Sequence, residues 1–314
     1  MDKANTMNIL LKSILVLIIF FSGVNALSAQ PYHLDVQIQN QPDNPIVLGS
    51  LEGDNFLSID STKAVNGTAR FLFPDDAQPG VYRLVFGKSA YAKIMDEDPQ
   101  QLDFIFNNED INLKTDFKNP LGALWIYTSE ENRFYFDFMQ RQREYEKAIS
   151  LMEKEVDQYW IKKDTAKAIN LSNEFNQLQM EWDLRIVQAI QQNRDKFASK
   201  LIALEREPLR DGFLSPAERK EAIKSNFFKH VNFADESLIN SQAYTDKLFD
   251  FLVLYNDKSF NEEQRTKAYI KALDIILPLL NENTKVRNFV IAYLVHGFEV
   301  LGMKDVVSHI DASR

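Results

Sequence analysis

From Tyr32 to Phe117 the hydrophobic positions recur with a period near two. Leu34, Val36 and Ile38 alternate with Asp35, Gln37 and Gln39, and Ala69, Phe71 and Phe73 flank Arg70. Tyr82, Leu84 and Phe86 alternate with Val81, Arg83 and Val85, while Leu102, Phe104 and Phe106 surround Asp103. Ile111 and Leu113 bracket Asn112. Alternation of this kind turns one face to a core and the other to water, which suits antiparallel strands. The breaks carry turn chemistry at Gly53-Asp54, Asn66-Gly67, Pro79-Gly80 and Asn107-Asn108-Glu109-Asp110. Asn66-Gly67 is the sharpest of them, because a two-residue type I′ turn wants positive φ at both positions. Residues 30–117 therefore read as an antiparallel β-sandwich of roughly seven or eight short strands.

The period then changes. Lys118-Asn119-Pro120 and Leu121-Gly122 read as a linker over residues 118–127, and Thr128-x-x-Glu131 has the spacing of a capping box. Beyond it Phe134, Phe138, Tyr145, Ile149, Met152, Val156 and Trp160 recur at helical spacing. A second stripe follows at Leu171, Phe175, Leu178, Trp182, Ile186 and Ile190. Two long amphipathic helices joined near Lys162-Lys163-Asp164 are expected to form an antiparallel hairpin. Ser215-Pro216-Ala217-Glu218 supplies the N-cap, first-turn proline and N3 glutamate of another helix. Apolar clusters at Phe197–Leu204, Leu248–Leu254, Tyr269–Leu280 and Val286–Leu301 predict further helices, with Pro278 kinking or ending one of them. The fold class is thus α+β, with an all-α domain over residues 128–314.

The N-terminus adds a targeting signal. Lys3 and Lys12 precede an apolar run from Ile14 to Phe21, and small residues follow around Val24–Ala26 and Leu27–Ala29. These are the parts of a secretory signal peptide, here residues 1–29. The run is about half of what a membrane-spanning helix needs. Cleavage after Ala29 and after Ala26 both fit, and Met7 is an alternative start. A lipid anchor on cysteine is ruled out, since the chain has none. The expected location is the periplasm or cell envelope, with membrane contact only through an uncleaved signal.

Charge and cysteine content narrow the chemistry. The formal net charge is −9, and losing Lys3, Lys12 and Asp2 with the leader makes it about −10. With no basic stripe to offset that balance, nucleic acid is not an expected partner. The absence of cysteine removes disulfides, thiolate nucleophiles and sulfur-ligated metals together. Stability must come from the core, for which 23 Phe and 11 Tyr provide material.

The sequence carries few candidates for a reactive site. Of four histidines, His33 opens a strand with no adjacent ligand, while His296 with Glu299 and His309 with Asp305 share helix faces. A metal needs three or four ligands, and ordinary surface hydrogen bonds suit these pairs. His230 belongs to no such pair. Asp96-Glu97-Asp98 and Asp75-Asp76 lack the residue order of a calcium loop and read as solvated turns. In Gly49-Ser50-Leu51-Glu52-Gly53 the serine stands one place early for a nucleophile elbow. No catalytic, cofactor-binding or metal residue is assigned, and no cofactor is expected. Phe134-Tyr135-Phe136-Asp137-Phe138 places rings on more than one helix face, so some of them must meet the β region or a ligand groove.

Several segments together resemble one family. Leu57-Ser58-Ile59-Asp60-Ser61-Thr62, running into Asn66-Gly67 and Phe71-Leu72-Phe73, is similar to a β-domain that begins exported thioredoxin-like (TlpA/ResA-like) proteins of Gram-negative bacteria. Thr128-Ser129-Glu130-Glu131-Asn132 resembles the start of the helical region that follows it there, and Asn232–Leu238 resembles a later element. In that family a thioredoxin-fold domain with Cys-x-x-Cys would begin shortly beyond the position of Arg314. Here no cysteine exists onto which the disulfide-exchange residues can be carried. The resemblance implies a non-catalytic accessory or recognition module of envelope thiol–disulfide chemistry, partnered by a thioredoxin-fold domain or protein. Two further readings stand beside it. One is a stand-alone binding protein that takes a peptide, glycan or lipid in a groove between its halves. The other is a hydrolase with two displaced carboxyl groups in one cleft.

Overall fold

The computed structural model describes residues 31–280 and 284–313. The expected signal peptide lies outside the described residues. Eight strands come first: β1 (His33–Gln39), β2 (Ile46–Glu52), β3 (Asn55–Thr62), β4 (Thr68–Leu72), β5 (Gly80–Gly87), β6 (Gln100–Phe106), β7 (Ile111–Asp116) and β8 (Trp125–Thr128). They form two four-stranded sheets, ordered β4-β1-β7-β8 and β3-β2-β5-β6. A short helix α1 (Ala90–Met95) joins β5 to β6.

The alternating residues point as expected. Leu34, Val36, Ile111 and Leu113 of the first sheet share one buried cluster with Leu48, Leu84, Phe86 and Phe104 of the second. Phe73 stacks on Phe106 at 4.0 Å and meets Tyr82 edge-on at 5.4 Å within it. Asn66 and Gly67 both adopt positive φ, 53° and 77°, and Val65 and Thr68 exchange backbone hydrogen bonds across them. That turn does not close a hairpin within one sheet: it carries the chain from β3 in the second sheet to β4 in the first.

Two expectations are corrected. The sheets are not purely antiparallel, because β1 pairs with β7 in parallel while the other pairings are antiparallel. Tight turns force antiparallel neighbours, but β1 and β7 are joined through the whole second sheet, which leaves their relative direction free. The segment expected as a linker also ends in structure, since β8 pairs Trp125 with Lys114 and Ile126 with Leu113.

Helices follow. Helix α2 (Glu130–Ile161) and α3 (Thr165–Gln192) are joined by a turn in which Lys163 has φ 61° and Asp164 caps α3. Trp160 Nε1 lies 3.3 Å from Ser172 Oγ, and Trp182 stacks on Tyr145 at 4.8 Å, so the two helices run antiparallel as their stripes predict. The rest comprises α4 (Phe197–Leu204), α5 (Pro216–Asn226), a 3₁₀ turn (Glu236–Asn240), α6 (Ala243–Tyr255), α7 (Glu262–Leu279), α8 (Thr284–Val300) and α9 (Lys304–Ala312). Ser215 and Glu218 form the expected capping box, and Pro278 stands one residue before α7 ends. Among the described residues no helix is long and apolar enough to cross a membrane.

Strands and helices are tied by polar contacts as well as by packing. Gly53 N–H donates to the Ile239 carbonyl at 3.0 Å, and Thr245 Oγ1 donates to Asp54 at 2.7 Å. Gly80 leaves room for the 3₁₀ turn, since a Cβ there would sit 2.6 Å from the Asn240 carbonyl oxygen. The tightest join lies at the start of α2. Asn132, fully buried, accepts from Ile105 N–H at 2.8 Å and donates to the Ile105 carbonyl at 2.7 Å. Its carboxamide thus completes the edge of β6 as a neighbouring strand would. Glu131, also buried, accepts from the first backbone N–H groups of α4, Phe197 at 3.1 Å and Ala198 at 2.9 Å. The expected capping box at Thr128 is therefore displaced: Ser129 is the N-cap, and Glu131 serves a different helix.

Replacing Asn132 by Ala orphans a buried donor and a buried acceptor, each costing about 1–3 kcal/mol. Asn132→Ala is expected to lower unfolding stability by about 2–4 kcal/mol in urea melts, against under about 0.5 kcal/mol for the exposed Asn288→Ala. Similar midpoints for the two variants would show that the β6 edge does not need its amide partner.

Candidate functional site

The face that begins at Asn132 continues along α2 through Phe136, Met139, Arg143 and Glu146 at steps of three or four, with Tyr135 beside it. This face does not close against the second sheet. Between them lies a cleft of about 550 Å³. Its opposite wall is the outer face of β5 and β6, with Val81, Gln101, Asp103 and Ile105. Leu201, Leu204 and Glu205 from the end of α4 form its floor, and the first turns of α6 close its end with Asp246, Lys247 and Asp250.

Two interactions hold the walls. Arg83 grips Asp103 through both carboxylate oxygens, at 2.6 and 2.7 Å, and reaches Gln242 at 3.2 Å. Lys247 Nζ donates to the Leu204 carbonyl at 2.7 Å, where the carbonyl end of α4 welcomes a cation. These contacts consume the charge of Asp103 and anchor that of Lys247. They leave a surplus of carboxylates. Glu205 has neither an ion pair nor a side-chain hydrogen bond among the described residues, and Asp246 and Asp250 stand at the exposed mouth.

The acids disturb one another. Burial pushes the pKa of Glu205 up to about 7; Lys247 opposes the shift, and Glu146, Glu207 and Asp250 reinforce it. Burial, aided by Asp54, Asp250 and Asp103, raises Asp246 to about 6. Asp250 is raised by burial against the pull of Lys247. The Tyr135 hydroxyl is held well above its ordinary value by burial and by Glu205, Asp103 and Asp246. Such an arrangement can accept positive charge on electrostatic grounds, and it also resembles the paired, displaced carboxyls of acid–base sites.

The residues singled out from sequence fall mostly elsewhere. Tyr135 and Phe136 of the aromatic run line the cleft, while Phe134 and Phe138 pack into the helical core. His33 is not isolated: its Nδ1 lies 2.9 Å from Asp110, and its Nε2 lies 3.8 Å from Asp35. His309 finds its carboxylate across helices, at Asp274 on α7 (2.8 Å), rather than at Asp305 on its own face. His230 is half-buried, and burial, with Arg206 nearby, depresses its pKa. Ser50 lies within β2. Among the described residues no group of three or more His, Asp or Glu side chains is placed to hold a metal ion. Sequence reading missed Glu205, Asp246 and Asp250. One signal was present, because Asp246 and Asp250 are four apart on one helix, a spacing that costs energy between like charges.

A carboxyl whose pKa is raised on folding binds its proton more tightly in the native state, so stability falls as pH rises across the shifted window and levels off above it. For Glu205 that window runs from the ordinary 4.5 to about 7. Glu205→Gln is expected to stabilise the protein by about 1–3 kcal/mol at pH 8 and negligibly at pH 4. Urea midpoints of both proteins at pH 4, 6 and 8 measure this, and a gain independent of pH would contradict a strained carboxylate. Compared with known proteins, the chain matches no family model and no curated protein.

Proposed function

We propose that this is an exported binding protein without catalytic activity, which holds an organic cation in the cleft between its β region and its helices. The observation that carries the reading is the unpaired Glu205, with Asp246 and Asp250, around a cleft of about 550 Å³ lined by apolar and polar residues in similar number, a volume typical of small-ligand sites. A protonated amine or guanidinium would meet the carboxylates while its apolar part lies along Tyr135, Phe136 and Met139. The two sheets, sharing one buried cluster, act as a sandwich scaffold whose outer face supplies one wall of the site. A lysine or arginine side chain in a peptide has this form. The resemblance to the front region of exported thioredoxin-like proteins fits the same role, with the cleft holding a segment of a partner or its client.

A second reading, hydrolysis by a carboxylate pair, draws support from the raised pKa values of Glu205 and Asp246 in one cleft. It requires turnover of aryl glycosides, esters or amides that disappears in Glu205→Gln.

Titration with phenethylamine, 2-phenylethanol and 3-phenylpropionate, followed by amide NMR shifts, tests the binding reading. Phenethylamine is expected to perturb residues of α2 and α6 around the cleft and to bind at least about tenfold more tightly than the alcohol, with no binding of the acid. Its affinity should be highest near pH 8 and fall as Glu205 and Asp246 gain protons between about 7 and about 6. Equal binding of amine and alcohol would remove the charge requirement. Amine binding unchanged by the cleft-filling Met139→Trp would remove the site.

A further inference from the structure

On a different side of α6 the charge pattern reverses. A groove of about 580 Å³ runs between α5, the end of α6 and α7. Lys220 and Lys224 from α5 and Lys267 and Lys271 from α7 line it, and its apolar lining comes from Leu254, Tyr255, Phe260, Ala268 and Ile275. In each helix the lysines are four residues apart on one face, a spacing at which like charges disfavour one another. Glu221 and Asp257 are the only acids in the lining, in a chain where acids outnumber bases 45 to 36. Lys224 is engaged by Glu221 at 2.7 Å and sits over the Tyr255 ring at 4.7 Å, and Lys267 pairs with Glu263 at 2.5 Å. Lys220 and Lys271 have no ion pair among the described residues, although Lys220, after the hydrogen bonds from Ser259, helps to hold the Asp257 carboxyl below its usual range.

We propose that this groove is a second binding site, for a free amphiphilic anion: a single-chain carboxylate whose head lies between Lys220 and Lys271 and whose tail follows the Tyr255–Ile275 lining. Lys220 and Lys271 are the lysines of the lining without an ion pair among the described residues, which gives the charge of the ligand. The apolar lining gives its body. The concavity separates a free amphiphile from a membrane surface, because the apolar residues lie within the groove, where a flat bilayer does not reach and a single chain does. The site is independent of the carboxylate cleft.

Calorimetric titration of the full chain with decanoate, 1-decanol, decyltrimethylammonium and acetate tests it. Decanoate is expected to bind with one site per chain, and at least about tenfold more tightly than decanol or acetate, since both head and tail contribute. Decyltrimethylammonium should not bind in the groove. The double variant Lys220→Glu/Lys271→Glu, both exposed positions, should weaken decanoate at least about tenfold while leaving the thermal midpoint within a few degrees. Ile275→Ser, which shortens the lining but keeps the charge, should weaken decanoate and leave acetate unchanged. Equal affinity for decanoate and decanol, or decanoate binding indifferent to the double variant, would overturn the proposal. So would retention of the protein on phosphatidylglycerol vesicles without decanoate binding, which would make the groove a membrane contact instead.

Discussion

The tightest polar join between strands and helices is the one that Asn132 makes at the edge of β6. A sheet edge is a row of unpaired donors and acceptors, and one covered by protein must be satisfied by something. Here the cover is a single carboxamide, which donates to the Ile105 carbonyl and accepts from its N–H. One residue earlier, Glu131 takes the first N–H groups of α4 and the amide of Asn107. Ser129, with φ 141°, caps α2 and donates to Glu109. Three neighbouring side chains thus fix β6, α2 and α4 relative to one another. Fully satisfied buried polar groups define geometry more sharply than apolar packing, because a shift of an ångström unpairs them.

That geometry explains why the cleft exists. Helix α2 touches the sheet at Asn132, and the residues above it, Tyr135, Phe136 and Met139, line open space. Closing the gap would desolvate Glu205, Asp246 and Asp250 without partners, a cost that opposes the gain from added apolar burial. Arg83 behind the wall and Lys247 in it brace the cleft, since one is held by Asp103 and the other by the end of α4. The cleft is therefore held in shape by hydrogen bonds and ion pairs.

How much of this was legible depends on how local each signal is. Period-two alternation marked β1 and β4 to β7, and helical stripes marked α2 and α3, because each reports burial along a single element. Asn66-Gly67 announced its turn by backbone preference, yet nothing in those two residues says that the following strand joins the other sheet. The parallel pairing of β1 with β7 is likewise set by residues 77 positions apart, as Leu34 and Ile111 are. Strand β8 is four residues long with Trp125 and Tyr127 exposed, too short to show a period. The motif at Thr128–Asn132 was visible as a helix start, but its reciprocal glutamate was needed elsewhere, and only the position of α4 reveals that. The cleft was the least legible feature, because Glu205 and Asp246 come from separate parts of the chain and each alone resembles a solvated surface acid.

Helix α6 links both candidate sites, and its own electrostatics suit that arrangement. Its first turns carry Asp246 and Asp250 into the carboxylate cleft, and its last residues, Leu254 and Tyr255, line the lysine groove. Partial positive charge at a helix N-terminus favours Asp246, and partial negative charge at the C-terminus favours Lys224 over the Tyr255 ring. Between the two ends Tyr244, Leu248 and Phe251 are buried in the helical core, so the helix is anchored along its length and the two charged ends cannot meet. An acidic chain that scattered its charges at random would have neither site. This one sorts them along one core-anchored helix, which sets Asp246 and Tyr255 about 13 Å apart along its axis.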